Sequence, residues 1–129
     1  MSFLRTSVTG GVGEIVLDRP RALNALDQSM IDEMFDVLSR WGDDDAIETV
    51  LVTSASPRAF CAGGDIRAIR EYAVDGDTAA ITRYFSSEYR LDQLSEVLEE
   101  GDALYFDSSA QHGMKALKGK RARFLAVIV

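Results

Sequence analysis

The sequence predicts an α/β fold, a βαβ unit with two further helices, followed by a short all-β tail. Three observations carry that expectation. Apolar, β-branched runs at residues 13–18 and 49–53 read as strands, the second as a strand buried on both faces. Between them Met30, Ile31, Met34, Phe35, Leu38 and Trp41 recur at three- and four-residue spacings, which gives one apolar helical face. After residue 95 the pattern changes to short apolar runs separated by turn residues.

Gly13-Glu14-Ile15-Val16-Leu17-Asp18 forms the first strand, and Pro20 prevents its continuation as a central strand. Asn24-Ala25-Leu26-Asp27 leads into the first helix, with Asp27 or Ser29 placed to cap it and Gly42-Asp43-Asp44-Asp45 placed to end it. Residues 49–53 return as the next strand. Strand, helix and strand in this order imply parallel pairing with a right-handed crossover. A loop at 54–64 precedes a helix over 65–72. After a break at Asp75-Gly76-Asp77, a second helix over 78–94 carries Ile81, Tyr84, Phe85, Tyr89 and Leu91. In the tail, residues 103–106 and 122–129 read as strands.

A chain of 129 residues admits one modest domain and not two complete ones. Its net charge of −7 argues against nucleic acid, whose binders cluster Lys and Arg to neutralise phosphates. No apolar run is long enough to span a bilayer, and the first residues lack the apolar stretch of a secretory signal. The expectation is a cytoplasmic protein with neither a nucleic-acid nor a membrane partner. Cys61 is the single cysteine and His112 the single histidine, which excludes an internal disulfide and the paired-histidine metal motifs. No metal site is expected; His112 alone falls short of the three or more protein ligands such a site needs.

The sharpest local feature is Arg58-Ala59-Phe60-Cys61-Ala62-Gly63-Gly64-Asp65-Ile66, where a buried strand feeds two glycines immediately before a helix. Two readings fit it. Backbone N–H groups beside a helix N-terminus can stabilise charge that develops on a thioester oxygen, and glycine lets a ligand approach the backbone closely. Equally, Gly-Gly can be a simple turn leading to a helix cap.

Residues 13–26 (Gly-Glu-Ile-Val-Leu-Asp-Arg-Pro-Arg-Ala-Leu-Asn-Ala-Leu) and 58–66, in that order, resemble the crotonase superfamily. The resemblance covers about residues 3–94. Phe85-Ser86-Ser87-Glu88-Tyr89-Arg90-Leu91 is most similar to the superfamily's 3-hydroxyisobutyryl-CoA hydrolase branch. The resemblance implies a partial crotonase-like fold whose substrate is a coenzyme A thioester, with no separate cofactor. It further implies that Arg21, Ala22 and Leu23 line the CoA nucleotide end, and that the Ala62 carbonyl meets the adenine. The backbone N–H of Gly64 becomes one of two oxyanion-hole donors, and Glu88 contacts the substrate. Gly63, Asp65 and Ile66 complete the CoA-binding loop, with Asp65 in the first helical turn, and Cys61 occupies a small packing position.

The same resemblance implies a second oxyanion donor from a later glycine-rich block, with catalytic carboxylates beyond it. No such block follows Leu94. The expectation is therefore an acyl-CoA thioester hydrolase by family, inactive as this chain. The alternatives are enoyl-CoA hydratase/isomerase chemistry and a non-catalytic CoA-binding or cupin-like ligand-binding remnant.

Residues 98–114 resemble the second conserved motif of a cupin barrel, and 121–129 resemble its final strand. In enzymatic cupins the position of His112 holds a metal ligand. Asp107, Ser109 and Ala116 depart from that motif, and the first cupin motif is absent. The expected organisation is a partial crotonase domain at 1–94 and a partial cupin-like segment at 95–129, a chimera joined near 94–97. Uncovered apolar faces and strand edges would favour self-association.

Overall fold

The computed structural model describes residues 2–96 and 124–127. β1 (Leu4–Thr9) and β2 (Val12–Leu17) form an antiparallel hairpin. β2 then pairs in parallel with β3 (Thr49–Ser54), and β3 in parallel with β4 (Phe124–Val127). The sheet order is β1-β2-β3-β4. α1 (Gln28–Gly42) makes the crossover from β2 to β3, while α2 (Ile66–Val74) and α3 (Thr78–Glu96) follow β3. The α/β class and the βαβ unit are those the sequence predicts.

α1 begins where Asp27 accepts the Met30 N–H at 2.9 Å. Ser29 donates its hydroxyl to the same carboxylate oxygen at 2.8 Å, so both predicted capping residues act together. Such a cap is worth about 1 kcal/mol. The helix buries Met30, Ile31, Met34, Val37 and Leu38, and Phe35 and Trp41 pack partly buried against the same cluster. Across from them lie Ile15 and Leu17 of β2 and Val50 and Val52 of β3. The two-residue alternation of β2 places these side chains on one face. Each fully buried aliphatic side chain contributes about 1.5–3 kcal/mol. α3 joins the core through Tyr84 and Leu91, seven residues apart on one helical face.

Several elements differ in extent from the expectation. α2 starts at Ile66 because Asp65 is its N-cap, and it runs to Val74. β1 was not expected: only Leu4 of its six residues is buried, so it has no alternating signature. The closing strand expected over 122–129 is observed at Phe124–Val127, beside β3 in the same sheet. The strand expected at 103–106, the cupin-like motif at 98–114 and His112 lie outside the described residues. Among the described residues no helix is long and apolar enough to cross a membrane.

Candidate functional site

Two loops at the C-terminal ends of β2 and β3 are sewn together by a short parallel ladder. Ala62 N–H donates to the Leu23 carbonyl at 3.0 Å, Leu26 N–H to the Gly63 carbonyl at 2.8 Å, and Asp65 N–H to the Leu26 carbonyl at 2.9 Å. The first loop turns through Pro20–Ala22, a single 3-10 turn, into two left-handed residues, Leu23 (φ 51°) and Asn24 (φ 57°). Asparagine tolerates this region better than most residues. Asn24 is fully buried, and its side chain fixes the conformation. Its amide nitrogen donates to Ser54 Oγ and the Phe60 carbonyl, both at 2.8 Å, while its oxygen accepts the Arg19 N–H at 2.8 Å.

The two glycines of the second loop are glycine for different reasons. Gly63 has φ +88°, a conformation that a side chain strains, but a Cβ added there would meet open space. Gly64 carries no such φ. A Cβ built there would lie 2.8 Å from Tyr84 Oη and 3.3 Å from Glu88 Oε1. Gly64 therefore lets α3 approach the loop backbone. The peptide unit is planar and trans, so the Gly63 carbonyl and the Gly64 N–H point in opposite directions. With that carbonyl bonded to Leu26, the Gly64 N–H is directed away from Leu26. Among the described residues no acceptor meets it.

Asp65 closes the loop. Its Oδ1 accepts the N–H groups of Arg67 and Ala68 at 3.1 and 3.2 Å, and its Oδ2 accepts Arg19 Nη1 at 2.8 Å. Burial pushes this carboxyl up, but the Arg19 hydrogen bond, the Ala68 N–H, the Arg19 charge and the Arg67 N–H outweigh it and hold the pKa below the usual value. Asp65 is thus a cap and an ion-pair partner, as the helix-cap reading of the glycine loop expects. Asp65 caps the helix; the Gly64 N–H before it is the available donor. Arg19 also donates to the Ala25 carbonyl at 2.8 Å and lies over the Phe3 ring, 5.2 Å from its centroid.

Tyr84 and Glu88 reach the loop from α3, one turn apart. Tyr84 Oη donates to the Leu26 carbonyl at 2.6 Å and accepts the Asp65 N–H at 3.0 Å. Burial, offset in part by that Asp65 bond and reinforced by the Glu88, Asp65 and Asp27 charges, raises its pKa and keeps the phenol neutral. Glu88 is half-buried, and burial followed by the Asp92 charge raises its carboxyl pKa. Cys61 donates its thiol to the Asn24 carbonyl at 3.2 Å and accepts the Gly63 N–H at 3.3 Å. Burial raises its pKa, against the Gly63 bond, so it stays a thiol with a packing role.

The structure brings Leu23 beside Ala62, and Glu88 beside Gly64. Arg21 and Leu23 are exposed on the turn, Ala22 is half-buried, and Ala62 and Gly63 are exposed. Ile66 is 78% exposed at the start of α2, with its side chain in solvent and outside the packed cluster. A cavity of about 420 Å³ lies along residues 53–60 and includes none of the predicted site residues. Among the described residues no group of three potential metal ligands occurs. Sequence reading missed Arg19, Asn24 and Tyr84 as builders of the site. The seven-residue spacing of Tyr84 and Leu91 was a usable signal for Tyr84. Arg19 had no local one, because Asp65 is 46 residues away.

The chain is 44% identical over 84 residues to a 3-hydroxyisobutyryl-CoA hydrolase, mitochondrial, of Gallus gallus, covering 64% of this chain and 21% of the relative. It is 42% identical over 78 residues to a carnitinyl-CoA dehydratase of Proteus mirabilis, covering 60% of this chain and 30% of the relative. The chain therefore spans between a fifth and a third of the length of these curated relatives. Among solved structures, an enoyl-CoA hydratase from Rhodobacter sphaeroides superposes with a TM-score of 0.70 at 36% identity, covering 74% of this chain and 28% of that one. The shared part is a partial crotonase-like fold. The family model described as enoyl-CoA hydratase/isomerase matches residues 12–100, more than half of the sequence, and the chain belongs to that family of the crotonase superfamily.

Proposed function

We propose that the chain binds an acyl-CoA thioester with the Gly64 N–H donating to the thioester oxygen. In a complete site the reaction is hydrolysis of a 3-hydroxyisobutyryl-CoA-type thioester. One observation carries this reading: the Gly64 N–H, fixed by the Leu26–Gly63 bond, meets no acceptor among the described residues and lies beside Glu88. Attack on a thioester carbonyl places negative charge on its oxygen, and a preorganised N–H stabilises that charge. Glu88, with its raised pKa, is poised to accept a hydrogen bond from the 3-hydroxyl or the attacking water. Arg21, Leu23 and the Ala62 carbonyl form the exposed rim for the nucleotide end. Similarity to the chicken hydrolase supports the substrate class.

A second reading is enoyl-CoA hydration or dehydration, favoured by the similarity to the carnitinyl-CoA dehydratase. The same N–H would stabilise an enolate oxygen. Calorimetric titration with CoA and with a short 3-hydroxyacyl-CoA tests the proposal, with free thiol and the absorbance of the conjugated enoyl thioester followed in parallel. Saturable binding is expected. Thiol release marks hydrolysis by a completed site, and a change in enoyl absorbance marks the second reading. Absence of binding to either ligand overturns the proposal.

A further inference from the structure

We infer that Tyr84 is a positioning residue for the Gly64 N–H, fixing the direction of that donor from behind the loop. The inference rests on the reading of Gly64 as an oxyanion donor.

The peptides on both sides of Gly64 are pinned. On the N-terminal side the Leu26 N–H holds the Gly63 carbonyl at 2.8 Å. On the C-terminal side the Asp65 N–H is shared between the Leu26 carbonyl at 2.9 Å and Tyr84 Oη at 3.0 Å. The phenol closes the triangle by donating to the same Leu26 carbonyl at 2.6 Å. Its oxygen also packs on the Gly64 α-carbon, where an added Cβ would come within 2.8 Å.

Two successive glycines have more backbone freedom than any other pair. A donor that swings stabilises developing charge less than one already aimed. Tyr84 removes that freedom, and its own ring is held firmly: it is fully buried and packs edge-on against Phe85 at 5.7 Å between centroids. Its hydroxyl proton is committed to Leu26, so it has none to offer a ligand. This separates positioning from catalysis. It also separates positioning from core filling, because phenylalanine would occupy the same space without either hydrogen bond.

The test compares the full chain with Tyr84→Phe by amide hydrogen exchange and by infrared spectroscopy of a carbonyl-labelled short acyl-CoA. Loss of a hydrogen bond of this kind is expected to accelerate exchange by about two- to tenfold at Asp65, whose N–H Tyr84 accepts, and at Leu26, whose N–H holds the Gly63 carbonyl. The α1 amides and the affinity for CoA itself should stay unchanged. Binding to the unsubstituted chain should lower the thioester carbonyl stretch, and Tyr84→Phe should return it toward the free frequency. Unchanged exchange at Leu26 and Asp65 overturns the inference whatever the ligand does. Uniform loss of protection across α1 also overturns it, since it marks a merely structural residue. An equal carbonyl shift in both proteins overturns the inference and spares Gly64 as donor. No carbonyl shift in the unsubstituted chain overturns the donor reading itself.

Discussion

Arg19 Nη1 lies 2.8 Å from Asp65 Oδ2 and equally close to the Ala25 carbonyl, so one guanidinium ties the loop entering α1 to the cap of α2. Both side chains are largely buried, at 20% and 10% exposure. Removing the cation leaves a buried carboxylate held only by two backbone N–H groups. Arg19→Met is therefore expected to destabilise the chain by about 2–3 kcal/mol, read as a lower urea midpoint at unchanged slope. A midpoint unchanged by the substitution would contradict the tie.

The same pair sets a pH dependence. The folded Asp65 pKa is lowered from its ordinary value. A carboxyl depressed on folding contributes stability that is full above its unfolded pKa and is lost as pH falls through the folded one. Stability should therefore fall as pH drops below the ordinary Asp range. Asp65→Asn should flatten that acid limb, which denaturant titrations at a series of pH values would detect.

Glu88 has the opposite sign. Its folded pKa is raised by burial and then by Asp92, so the ionised form is disfavoured in the folded state. The resulting penalty is present above the folded pKa and vanishes once pH falls below the unfolded one. Glu88→Gln should raise stability at neutral pH and leave it unchanged in strong acid. The same substitution should weaken binding of a 3-hydroxyacyl-CoA more than binding of CoA alone.

Gly63 and Gly64 should respond differently to alanine. At Gly63 the cost comes from φ +88°, about 1–2 kcal/mol, with nothing for the new methyl to strike. At Gly64 the methyl would lie 2.8 Å from Tyr84 Oη, an overpacking cost of about 1–3 kcal/mol. Tyr84→Phe removes that oxygen, so a double-mutant cycle should show coupling of Tyr84 with Gly64 and none with Gly63. Equal coupling at both glycines would be inconsistent with the geometry.

Helix α1 was legible from its apolar period, and strands β2 and β3 from their apolar, β-branched runs, although β3 buries one face, Val50 and Val52, and not both as expected. Met30, Ile31, Met34 and Leu38 recur with the helical turn, and Ile15 and Leu17 alternate along a strand. The hairpin partner β1 was not legible from burial, since five of its six residues are exposed. Its one signal was Gly10-Gly11, a pair with positive φ at both residues that suits a two-residue hairpin loop. In the site, the Gly63-Gly64-Asp65 block stood out locally. The distinct roles of these residues did not, because they depend on partners far along the chain. Asn24 reaches Phe60 across 36 residues, and Tyr84 reaches Leu26 across 58. The placement of Glu88 beside Gly64 was implied by neither spacing nor composition. It follows from the α3 face that buries Tyr84 and Leu91.

Donation of the Gly64 N–H to a thioester oxygen is tested most directly by the amide proton resonance of Gly64 during two titrations. One uses a short acyl-CoA thioester, the other a thioether analogue with the same CoA moiety and no carbonyl. A downfield displacement of the Gly64 amide is expected with the thioester and a clearly smaller one with the thioether. A Gly64 amide that responds equally to both ligands, or stays still while the thioester binds, would contradict it.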